Sequence, residues 1–93
     1  MKLKIFTIWD AKAEAYQRPF FANTNAMAIR SVTDAVNDSS HPLGQHPEDY
    51  SLFAIGEFDE LTAKVEMTSP MILGVCQEFA VQPDIPALLR EQA

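Results

Sequence analysis

A chain of 93 residues, 47% apolar and 22% charged, has the composition of one ordinary folded domain and too much apolar surface for disorder. Its net charge of −6 opposes long-range attraction to nucleic acid, yet the charge is uneven: residues 1–30 hold five cations against two acids, residues 31–93 two cations against eleven. The single cysteine, Cys76, excludes an internal disulfide and a cysteine-built zinc cage.

Residues 2–9, KLKIFTIW, are rich in β-branched and aromatic types and predict a first strand. Period-two alternation sets Leu3, Ile5, Thr7 and Trp9 on one face and Lys2, Lys4, Phe6 and Ile8 on the other. One face is therefore expected to be covered and the other partly covered. Residues 10–18 break the pattern and read as a helical turn or a broad loop. Residues 19–22, PFFA, predict a short strand at a sheet edge, where Pro19 has no ladder donor to lose. Asn23, Thr24 and Asn25 are successive helix N-cap candidates. Ala28, Ile29, Val32, Ala35 and Val36 then follow at helical spacing, which predicts a helix over 25–37.

Gly44 and two prolines in NDSSHPLGQHP end that helix. A strand is expected over 51–58, with Tyr50, Leu52, Ala54 and Gly56 on one face. Residues 59–62 form the connection to an antiparallel return strand over 63–69. Another strand is expected over about 73–80, and beyond Pro83 and Pro86 a short helix or tail. The sum is an α+β domain over residues 1–82, a mostly antiparallel sheet of four to five strands with one main helix packed on a face. Residues 83–93 are left as the helix or tail.

The apolar run of the N-terminus ends at Asp10, too early for a secretory leader, and no stretch nears the ~20 apolar residues of a membrane helix. A cytosolic protein without membrane contact is expected. His41, His46, Glu48 and Asp49 are metal-ligand types, but each histidine precedes a proline and is pushed out of helical geometry, so no metal site is expected. Glu57 and Asp59 lie two apart without a convergent histidine or lysine. The chain also has no nucleophile elbow, phosphate-cradling loop or dinucleotide fingerprint. Neither an enzyme nor a cofactor is expected.

Aromatic and basic residues give a better lead. Phe6, Trp9, Tyr16, Phe20 and Phe21 share the first thirty residues with five cations, the mixture that holds single-stranded nucleic acid by stacking and phosphate contact. The candidate nucleic-acid-binding residues are Lys2, Lys4, Lys12, Tyr16, Arg18 and Arg30. Tyr16, between Lys12 and Arg18, is the ring expected to be exposed. The acidic remainder supports an alternative, an interaction module that docks a basic protein partner without touching DNA. In that reading Ile85, Leu88 and Leu89 of the tail would seat in a groove. An uncovered edge at Pro19 or along residues 71–75 would favour a homodimer.

Three blocks carry a resemblance: DAKAEAYQRPFF (10–21), AIRSVTDAVND (28–38) and HPEDYSLFAIGEFD (46–59). In this order, over roughly residues 1–60, the chain resembles the small nonstructural protein of gokushovirus-type microviruses, often labelled a DNA-binding protein. These are tailless icosahedral phages with circular single-stranded DNA genomes. The matching positions include Asp10, Lys12, Glu14, Tyr16, Pro19, Phe20, Phe21, Asp34, His46, Pro47, Glu48, Asp49, Tyr50, Gly56 and Asp59. Residues 61–93 match only in general character. The resemblance implies no catalytic set. It implies a role in viral single-stranded DNA synthesis or packaging in the host cytoplasm, with single-stranded DNA and phage replication or capsid proteins as partners.

Overall fold

Alternating β-branched and aromatic residues at the N-terminus form β1 (Lys2–Asp10), on which the rest of the sheet is built. The computed structural model describes residues 1–80. Two short strands, β2 (Ala15–Tyr16) and β3 (Phe20–Ala22), pair with one edge of β1. On its other edge β1 pairs with β4 (Tyr50–Asp59), which pairs in turn with β5 (Val65–Val75). Every pairing is antiparallel. The fold is α+β, as the sequence predicts.

Helix α1 (Asn25–Val36) starts where Thr24, in extended conformation, accepts a hydrogen bond from the Met27 N–H at 3.1 Å. Its buried residues Ala28, Val32 and Val36 pack against Phe6, Ile8, Leu52 and Cys76. Phe20 stacks on Phe6 at 5.6 Å and seals one side of that core. Helix α2 (Pro42–Gln45) adds Leu43, and the His41 Nδ1 caps it by accepting from the Leu43 N–H at 3.1 Å. The helix therefore covers the Phe6/Ile8 face, the one whose sequence alternates with lysines. The opposite face, carrying Leu3, Ile5, Thr7 and Trp9, has no described helix on it. No described helix is long and apolar enough to cross a membrane.

Four expectations need correction. Residues 10–18 are a hairpin arm containing β2. The Asp10 carboxylate accepts from the Lys12 and Ala13 N–H groups in its turn. The two strands expected over 63–69 and 73–80 are one strand, β5, running through Pro70, and residues Cys76–Phe79 form a 3-10 turn. Pro70 is tolerated because β5 is an edge strand and its pairing with β4 is irregular at that point. The loop after α1 is partly helical, as α2 and a 3-10 turn over Pro47–Asp49. Gly56 leaves the face of Leu52 and Ala54, because the β1–β4 register shifts between Ile5 and Phe6 and inserts Ile55 as a bulge. The expected helix or tail at 83–93 lies outside the described residues.

The bulge depends on a close approach at Gly56, where an added Cβ would meet the Glu66 carbonyl oxygen. Urea unfolding of Gly56→Ala is expected to show a loss of about 1–3 kcal/mol. Leu52→Ala, which empties the fully buried centre of the core, should lose about 2–5 kcal/mol.

Candidate nucleic-acid interface

Strand pairing decides which side chains share the open face. Trp9 pairs with Tyr16 and Thr7 with Phe53, so the three rings meet across β2, β1 and β4. The Trp9 and Tyr16 centroids are 4.8 Å apart, and those of Tyr16 and Phe53 are 5.7 Å apart, edge to face. Further along, Phe21 meets Phe58 at 5.8 Å, also edge to face. On β5 the register adds Val65, Met67 and Ile72 to the same side. Tyr16 and Phe21 are 50% exposed and Met67 61%, so this is an apolar face in solvent. Its floor is nonetheless well packed: Ile5 and Thr7 are buried.

The arm carrying Tyr16 is fixed by two hydrogen bonds to β1. The Thr7 hydroxyl donates to the Gln17 carbonyl at 2.7 Å, and the Gln17 N–H donates to the Ile8 carbonyl at 2.8 Å. Lys12 lies in the turn before Tyr16 and Arg18 just after it. Both are exposed, and among the described residues the one ion pair is His46–Glu48, at 3.9 Å.

The sheet also sorts its charges. Its four acids, Asp10, Glu57, Asp59 and Glu66, all take the helix-side parity: Glu57 pairs with Lys4 and Glu66, Asp59 with Lys2, and Asp10 with Ala15 and Tyr50. Among the described strands no residue on the open face is acidic. An anionic ligand can therefore approach that face without meeting a strand carboxylate, despite the net charge of −6.

This sorting divides the six candidate residues. Lys12, Tyr16 and Arg18 belong to one arm. Lys2 and Lys4 lie on the helix side among Glu57, Asp59 and Glu66, where cross-strand opposite charges offset them. Lys4 also borders a cavity with Asn25, whose side-chain oxygen is buried without a partner. Arg30 is exposed on α1, on the covered side of the sheet. The structure thus brings three candidates together and separates the other three. It adds Trp9 and Phe53, which sequence spacing cannot join because their proximity follows from the β1–β4 register. The alternation of Glu57, Asp59 and Glu66 against Phe58, Val65 and Met67 is the signal that separates the strand acids from the open face once the hairpin is recognised.

Two other groups carry chemistry. His46, Glu48 and Asp49 bring one ligand atom each within 4.8 Å in the 3-10 turn, while His41 is spent on capping α2. His46 and Glu48 are well exposed, and a ligand set so hydrated would hold a divalent ion weakly. Cys76 is fully buried, and burial pushes its thiol up to about 11. Protons leave the unfolded thiol first as pH rises, so this group's contribution to stability falls between the ordinary thiol range and about 11. A disulfide-exchange reagent at pH 8 is expected to label native Cys76 far more slowly than the urea-unfolded chain. Equal rates would mean that the core around Cys76 opens freely.

Comparison with known proteins gives one match. The family model described as Phage ORF5 protein matches residues 3–79, which covers every described strand and helix apart from Lys2 at the start of β1. Neither a curated protein nor a solved structure matches the chain.

Proposed function

The chain belongs to the Phage ORF5 protein family, and on that premise we propose that it is a phage accessory protein that holds single-stranded DNA on the open face of its sheet. The observation that carries this reading is the exposed ring of Tyr16, in contact with Trp9 and Phe53 on a face to which the described strands contribute no acid, with Lys12 and Arg18 on the same arm and Glu14 in its turn. Rings of this kind stack on bases of any sequence, and adjacent cations meet the phosphates. Duplex DNA hides its bases and offers such a face nothing to stack on. In this reading the protein works in the host cytoplasm during synthesis or packaging of a single-stranded genome.

With two cations beside the rings, stacking supplies more of the affinity than charge does. The dependence of log K on log salt is expected to have a slope of about −1.4, from roughly 0.7 per neutralised phosphate on a single strand. Tyr16→Ala should weaken binding by about tenfold to a hundredfold, the equivalent of one lost stacking contact. Lys12→Glu and Arg18→Glu should each weaken it further at low salt, while Lys2→Glu and Lys4→Glu should have little effect. Fluorescence anisotropy with a labelled oligonucleotide reads all of these. No binding at low salt, or binding indifferent to Tyr16, Lys12 and Arg18, would remove the basis of the reading.

A second reading is favoured by a different observation. On β5, Val65, Met67, Met71 and Ile72 are each more than half exposed along an edge strand. Such a strand suits an adaptor for a phage replication or capsid protein, or a homodimer. In that case substitutions on β5 would abolish partner capture and leave oligonucleotide affinity unchanged.

A further inference from the structure

The open face is not flat. Between its outer strands lies a hollow of about 350 Å³. Thr7 and Ile55, from the central strands, lie between a bank formed by Tyr16 and Pro19 and another formed by Met67 and Pro70. Ile55 follows Phe53 by ordinary alternation onto this face, and the bulge there turns Gly56 to the same side.

We propose that this hollow seats one unpaired nucleobase of a strand lying across the sheet, an inference that rests on the DNA reading above. The chemistry of the lining selects the occupant. No lining residue is charged, so the hollow suits a neutral group and not the phosphate. Its banks offer an aromatic ring, two proline rings and a thioether, all surfaces against which a flat π-system packs well. Its volume sits at the low end of the ~300–1,000 Å³ range of ligand pockets, enough for one base with part of its sugar.

The surroundings select how that base is tethered. Lys12 and Arg18 bracket Tyr16 on the β2 side, whereas β5 carries no cation along its length. The phosphates therefore run along the arm, and the base turns inward past Tyr16 toward β5. Specificity among bases is expected to be slight. The Thr7 hydroxyl is already donated to the Gln17 carbonyl, which leaves the Tyr16 and Thr68 hydroxyls of the lining to contact a base edge.

The test uses the wild-type protein with methyl-labelled methionine and two oligonucleotides of equal length, one of thymidines and one abasic. Met67 lines the hollow, while Met71, on the same strand, takes the helix-side parity and serves as the internal control. A seated base is expected to shift the Met67 methyl upfield and leave Met71 in place. The abasic strand should bind about tenfold or more weakly and leave Met67 unmoved. Thr68→Phe, which fills the hollow from its rim, should reduce affinity for the thymidine strand toward that of the abasic one.

Binding of the thymidine strand with Met67 unmoved, or equal affinity for both strands, would overturn the base seat and leave DNA binding intact. Failure of both strands to bind at low salt would overturn the DNA reading and the seat with it. A Met67 signal that responds to protein dilution and not to oligonucleotide would assign the hollow to a second copy of the chain, and would overturn the proposal.

Discussion

In an antiparallel sheet only alternate residues share a face, and the β1–β4 register is the constraint from which the properties of this molecule follow. Phe6, Ile8 and Leu52 meet the helix on one side, while Trp9, Phe53 and Phe58 meet solvent on the other. The bulge at Ile55 reverses the alternation beyond it and so sends Glu57 and Asp59 to the helix side, opposite Lys4 and Lys2. A slip of one residue would exchange the core for the aromatic face and bring the acids onto it. The register therefore fixes the fold and the electrostatics of its exposed surface together.

That coupling reconciles an acidic chain with an anionic ligand. Beyond a Debye length, about 8–10 Å in physiological salt, the net charge is largely screened, and contact is decided by the groups that line the surface. Here the strand acids lie behind the sheet and the rings in front of it. Of the carboxylates C-terminal to residue 30, those on the described strands, Glu57, Asp59 and Glu66, all lie on the helix side. The basic N-terminal third proves less uniform than its composition suggests, because Lys2 and Lys4 are balanced locally by acids brought from β4 and β5. The cations that remain beside the rings are Lys12 and Arg18.

Much of this was legible in the sequence. The strong alternation of residues 2–9, the helical spacing from Ala28 to Val36 and the hairpin after Asp59 gave the main elements, and the exposure of Tyr16 followed from its polar surroundings. The failures share a cause, since each depends on a partner strand. Ile55 reads as an ordinary member of an alternating strand, and only its pairing with β1 makes it a bulge. Pro70 reads as a strand breaker until β5 is known to be an edge. β2 is two residues long and is held by bonds from Thr7 and Ile8 to Gln17, which no local propensity encodes. Likewise the Trp9–Tyr16–Phe53 cluster joins residues 44 positions apart, so the exposure of Tyr16 was visible and its companions were not.

Trp9 is the chain's single tryptophan and touches Tyr16 on the open face, so its fluorescence reports on that face directly. The most direct measurement is a titration of Trp9 emission with a thymidine oligonucleotide at low salt, set against a duplex of the same length. The account predicts saturable quenching by the single strand and little response to the duplex. Emission indifferent to the single strand, or quenched equally by both forms, would contradict the claim that the open aromatic face is where single-stranded DNA is held.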